Sequence, residues 1–379
     1  MILGSLLFPA LVVLGGATGT FARPAGGAVP RADSPCTDPV VRKEWRALSS
    51  EQQLSYIDAV KCMQSTPGKT ARLYAGVKSL YDDFQALHIS QTDHIHWVVS
   101  FHALSIGRAL ISAVGLVLIW EESMDAKKFH LDWTLDADTN AKFLASPVFD
   151  TVHGFGGNGG YVRDTGSSNR FAAAPSSKLT HIAMASDDPT AMGGGCVTEG
   201  PFADYQVSMG PGNSTKPNPH CLVRDINPGF VRQMLGRAEN AQVLAQPDFW
   251  HFTRRIEGAT MGNSCHSAGH GGVGGEPESP GDPLFYLHHG VLDKLWDEWQ
   301  RKDCCRLTHG GETKDWEARK TDIGGPDTQF AYPYNYFGAS PAYKNVTLGF
   351  EMNLGSIGGM KKISQAMDTM GGEFCYTYE

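Results

Sequence analysis

Polar and apolar positions alternate along this chain with helical rather than strand periodicity, and the regular stretches are separated by long loop-forming runs. Asp38-Pro39 offers an N-cap and a first-turn proline, predicting a helix over Val40 to Leu48. Ser49 or Ser50, with Gln52 and Gln53 three residues on, predicts a second helix toward Met63. Leu73, Val77, Leu80, Tyr81, Phe84 and Leu87 fall on one face of a third, Leu73 to His88. Phe155 to Pro228 is dominated by Gly, Pro, Ser and Asn and reads as mostly loop. Two further helices are expected, near Phe230 to Leu244 and over Pro283 to Lys302. The fold class is therefore mainly α, with helices around a core and long surface loops. The apolar run Ala109 to Trp120 is too short for a membrane span, which needs about 20 residues.

Composition narrows the class without naming a function. The chain has 379 residues, 41% hydrophobic and 19% charged, which excludes a disordered, collagenous or multi-pass membrane protein. Its net charge of −8 argues against a nucleic-acid partner. The stretch from Ile2 to Val13, followed by small residues up to Ala22, reads as a signal peptide over residues 1–22, so the protein is expected to be secreted. The sequons at Asn213 and Asn345 fit glycosylation in that compartment. The eight cysteines allow disulfides there, in a pairing that sequence leaves open. There is no CxxC pair to suggest a zinc ribbon or a thioredoxin-like site.

The informative residues are histidines. In Cys265-His266-Ser267-Ala268-Gly269-His270 two imidazoles stand one helical turn apart, a spacing that can chelate one metal ion. In the segment from Asp282 to Asp293 (DPLFYLHHGVLD), Asp282 can cap a helix and Pro283 can open it. His289 and Asp293 then share a face, where the carboxylate could fix the imidazole or a neighbour. His266, His270 and His289 together form a three-nitrogen site suited to copper or zinc. Ser267 stands where a HExxH protease needs glutamate, which excludes that class. Phe155 to Gly160 (FGGNGG) lacks the Lys-Ser/Thr of a phosphate-binding loop.

Here the chain resembles the tyrosinase family of tyrosinases, catechol oxidases and hemocyanins, and most of all the short secreted tyrosinases of filamentous fungi. DPLFYLHHGVLD fits the family's second-copper motif at every fixed position. That resemblance selects His289 over His288 as a ligand and adds His266 and His270. It also implies that Glu257, nine residues before His266, orders an active-site water. Segments Gly193 to Phe202 and Phe155 to Gly160 resemble the family as well, and Tyr332-Pro333-Tyr334 resembles the Tyr-x-Tyr that closes its catalytic domain. The resemblance implies one domain over residues 23–379 around a central four-helix bundle, holding two copper ions. Its substrates would be a small phenol and O2, and an o-diphenol would leave as an o-quinone. A glutamate-held water and an Asn or Asp after the first second-copper histidine assist monophenol hydroxylation in the family. Ser267 occupies that place, so diphenol oxidation is expected to dominate.

The first copper site departs from the pattern. His88 and His96 have the family's spacing of eight, but nine residues further stands Ser105 instead of histidine. His102 and His94 are off the spacing. Residues 98–131 depart from the family altogether, and the resemblance resumes at Asp132-Trp133-Thr134-Leu135-Asp136. The string Ala103 to Gly107 can be encoded so that a frame two bases later reads Pro-Phe-His-Arg, the missing motif. A shifted or mis-spliced frame across this stretch would account for the departure. The competing reading is a catalytically impaired, secreted relative with an incomplete first copper site.

Overall fold

The computed structural model describes residues 36–95, 129–160, 193, 195–210, 214–257, 264–273, 279–302, 321, 323, 347–371 and 374–379. His96, His102, Ser105, the apolar run 109–120, both sequon asparagines and Tyr332 to Tyr334 lie outside them.

The architecture is mainly helical. In chain order come β1 (Val40–Glu44), α1 (Ser50–Ser65), α2 (Leu80–Ile95), β2 (Phe129–His130), α3 (Asn140–Leu144), β3 (Gln206–Met209) and β4 (Pro217–Cys221). Then follow α4 (Pro228–Met234), α5 (Arg237–Leu244), α6 (Phe249–Glu257), α7 (Cys265–Val273) and α8 (Leu284–Arg301). The remaining elements are β5 (Glu351–Asn353), α9 (Gly355–Gly358), β6 (Met360–Lys362) and β7 (Tyr376–Tyr378). One large core collects Phe84 from α2, Phe252 from α6, Ala268 from α7, and Leu292, Trp296 and Trp299 from α8. No described helix is long and apolar enough to cross a membrane.

Helix α1 starts where its capping signal places it. Ser49 accepts from the Gln52 amide while the Gln52 side chain accepts from the Ser49 amide. Three other expectations need correction. Val40 to Leu48 is not a helix but β1 followed by a 3-10 turn, Trp45–Ala47. Its β-branched start suits a strand, and its partners are remote. It pairs in parallel with β2 on one side and with β7 on the other, in the order β2-β1-β7. The helix expected from Leu73 starts only at Leu80, and Leu73 is 73% exposed. Ser79 and Asp82 make the true start, each accepting from the other's backbone amide. The preceding loop is held by Gly76, whose amide donates to the Thr215 carbonyl at 2.9 Å, an approach that a Cβ would block. Phe230 to Leu244 is two helices, α4 and α5, broken at Gly236, the N-cap residue of α5. The expected loop region also contains a hairpin, β3–β4.

Two disulfides stand among the described residues, Cys36–Cys375 and Cys196–Cys221. Burial pushes Cys265 up to about 12, which keeps it a thiol. The start of α8 is fixed by a buried ion pair. Arg224 donates from Nε and Nη2 to the two oxygens of Asp282, at 2.8 and 3.0 Å, and from Nη1 to the carbonyls of Phe155, Gly156 and Gly157. Asp282 in turn accepts from the Leu284 amide at 3.0 Å, capping the helix as the sequence suggests.

Candidate metal centre

Helices α2, α6, α7 and α8 converge on the histidines. Within one turn of α7, His266 and His270 bring their Nε2 atoms to 2.7 Å. From α8, His289 brings its Nε2 to 3.3 Å from that of His270. One nitrogen from each of the three lies within 4.8 Å of the others, and the set is the metal-competent group found among the described residues. Two nitrogens bound about 2.0 Å from one tetrahedral ion stand about 3.3 Å apart, so the cluster has the right scale for a single cation.

The electrostatics favour a cation there. Burial first, then the neighbouring imidazoles of His266, His289, His288 and His88, hold His270 well below the ordinary histidine range. It stays neutral, with a lone pair to offer. Glu257, at the end of α6, meets Nδ1 of His266 at 2.7 Å. A carboxylate only accepts, so Nδ1 carries the proton and Nε2 is left as the donor atom facing its neighbours. Glu257 thus acts on the His266 ring directly. Burial and the nearby His266 push His288 down to about 3. Both its nitrogens are engaged, one with the Trp133 indole and one with the His266 carbonyl, so His288 is not placed to ligate. The choice of His289 over its neighbour has a geometric basis.

Of the two roles its spacing allowed, Asp293 serves neighbours of the triad: its carboxylate accepts from Arg42 at 3.2 Å and from the hydroxyls of Tyr376 and Tyr378. The Arg42 guanidinium lies 3.4 Å over the Tyr376 ring. Sequence reading passed over this second Tyr-x-Tyr, Tyr376-Thr377-Tyr378, in favour of the one at 332–334. Through Asp293, one turn beyond His289, it anchors α8 to the β1–β7 strands.

His88 is buried on α2, its ring edge-on to Phe285 at 5.1 Å. Phe285 also packs against His289 at 4.3 Å and His270 at 5.5 Å, so His88 stands across one phenyl ring from the triad. Of the sequence-expected ligands, His266, His270 and His289 are brought together, His88 lies beside them, and His96 is outside the described residues.

Comparison with known proteins agrees with this architecture. The family model for the common central domain of tyrosinase matches residues 78–302. The N-acetyl-6-hydroxytryptophan oxidase ivoB of Emericella nidulans is 32% identical over 368 residues, spanning 89% of this chain and 92% of that protein. Tyrosinase P of Aspergillus terreus is 28% identical, spanning 90% of this chain and 93% of that one. A solved polyphenol oxidase variant from Thermothelomyces thermophila superposes with a TM-score of 0.69 at 28% identity, covering 90% of this chain and 89% of that one. On the extent of the family match, the motif in α8 and the histidine triad behind it, the chain belongs to the tyrosinase family.

Proposed function

We propose that this protein is a secreted, copper-dependent phenol oxidase that converts o-diphenols to o-quinones with O2. The observation that carries the reading is the convergence of three imidazole nitrogens, one each from His266, His270 and His289, within one family-matched domain. These three would hold one copper, and His88 and His96 would contribute to the second. A copper pair held by these residues would supply the O2-binding and two-electron redox chemistry that diphenol oxidation needs. The chain's own part is geometric and electrostatic. Glu257 fixes the His266 tautomer, while burial keeps His270 neutral. Phe285 packs against both His88 and His289 and gives the site an apolar wall.

Ser267 supports a bias toward diphenols. Its hydroxyl is 2.6 Å from that of Ser264, and its amide donates to the same Ser264 oxygen at 3.1 Å. The side chain is thereby engaged in capping α7, and has no amide or carboxylate with which to hold a water for phenol deprotonation. The two disulfides support secretion into an oxidising compartment.

The missing histidine at position 105 favours a second reading, a relative with one filled metal site and no dioxygen chemistry. Metal content separates the two. The full chain is reconstituted with excess Cu(II), copper per chain is counted, and catechol oxidation is followed by quinone absorbance. Two coppers with quinone formation are expected; one or none, with no quinone, would overturn the oxidase reading. His289→Ala should lose the triad's copper in either case.

A further inference from the structure

His288 is 2% exposed and sits beside the triad, yet the ligand set leaves it without a task. Both its ring nitrogens are committed. Nδ1 faces the Trp133 indole N–H at 3.4 Å, and an indole can only donate. Nε2 therefore carries the ring proton, and donates it to the backbone carbonyl of His266 at 3.2 Å. In an α-helix that same carbonyl accepts from the amide four residues on, here residue 270. The oxygen that His288 holds is thus part of the turn joining the two imidazoles of α7.

That helix needs an external brace. Its nine residues (CHSAGHGGV) include Gly269, Gly271 and Gly272, each of which costs a helix interior about 1 kcal/mol relative to alanine. Gly269 is also what admits the brace, because a Cβ there would fall 2.0 Å from the His288 ring. The His288 and His266 rings lie nearly parallel, 10° apart in plane and 6.2 Å between centroids. Trp133 is itself held by Phe143 and Phe149.

We infer that His288 is a positioning residue for the metal centre. By clamping the His266 carbonyl, it fixes the rotation and depth of α7 against α8, so that the Nε2 atoms of His266 and His270 meet that of His289. Trp133 enforces the tautomer that makes the clamp a donor. The inference rests on His266, His270 and His289 being metal ligands.

The test uses the metal-free full chain, one equivalent of Cu(II) and a competing chelator, with affinity and the copper EPR spectrum as readouts. His288→Phe fills the space against Gly269 but makes neither hydrogen bond. It should bind copper about 10- to 100-fold more weakly, the usual cost of losing an outer partner of a ligand, and shift the EPR hyperfine splitting. His288→Gln can accept from Trp133 and donate to the His266 carbonyl, and should stay within about threefold of the wild type, well inside that range. A folded His288→Phe protein with wild-type affinity and spectrum would overturn the inference. Should that variant not fold, Trp133→Phe replaces it, with weaker binding expected and unchanged binding overturning the inference. A wild-type chain that takes up no copper would instead overturn the ligand reading, and the inference with it.

Discussion

Replacing Arg224 by methionine keeps most of the buried stem and removes the guanidinium. Arg224 is fully buried and Asp282 is 4% exposed, so the carboxylate left behind has no water to turn to. Breaking a buried pair from one side costs about 3–5 kcal/mol, because an uncompensated charge remains. The carbonyls of Phe155, Gly156 and Gly157 also lose a donor, but these terms overlap, and we expect a total near 4 kcal/mol. Urea denaturation followed by circular dichroism reads this as a lowered midpoint at unchanged slope. The double variant Arg224→Met with Asp282→Asn separates charge from packing. Asparagine still caps α8 but carries no charge, so the double variant should recover about 2 kcal/mol of the loss. A single variant costing under about 1 kcal/mol, or a double variant as unstable as the sum of both singles, would refute the reasoning.

Two further outcomes follow from the same geometry. Gly269→Ala would set a Cβ 2.0 Å from the His288 ring, forcing α7 and α8 apart at a cost of about 1–3 kcal/mol. The contact between His270 and His289 spans the two helices and should open, whereas that between His266 and His270 lies within one. Copper titration should then show at least about tenfold weaker binding, and an unchanged affinity would contradict the packing described. His130 concerns acid stability. Burial first, then the nearby Lys294, holds it down to about 4. The unfolded chain takes up that proton below about pH 6.5 and the folded chain only near 4, so stability falls as pH drops through this window. The full contribution is about 3 kcal/mol, and His130→Phe should flatten the stability profile of the metal-free protein between those limits. An identical profile in the variant would rule out His130 as the cause.

What could be read in the sequence follows the range of the interactions. Helices α1 and α8 are set by neighbours, Ser49 with Gln52 and Asp282 with Leu284, and both were legible. The pair His266 and His270 was legible because imidazole spacing on one helix is a local property, whereas the choice of His289 to join it came from the resemblance carried by the α8 motif. The start of α2 was also encoded locally, in Ser79 and Asp82, but the apolar spacing from Leu73 masked it. Strand β1 was not legible, since a five-residue segment is held by residues over 300 positions away. The partners of Asp293 were not legible for the same reason: its spacing from His289 is local, but Arg42, Tyr376 and Tyr378 are remote in sequence. His288 could be set aside as a ligand from the motif, yet its bond to the His266 carbonyl depends on how two helices pack.

The β1–β7 pairing bears on the order in which the molecule can be completed. Arg42 is synthesised 251 residues before Asp293 and 336 before Tyr378, and Cys36 precedes Cys375 by 339. Contacts of such separation form late, because the intervening chain must be organised first. Helix α8 and its His289 therefore lack their anchor until Tyr376 and Tyr378 have left the ribosome. Before then, His289 stands on a helix that Asp293 has not yet tied to the β1–β7 strands.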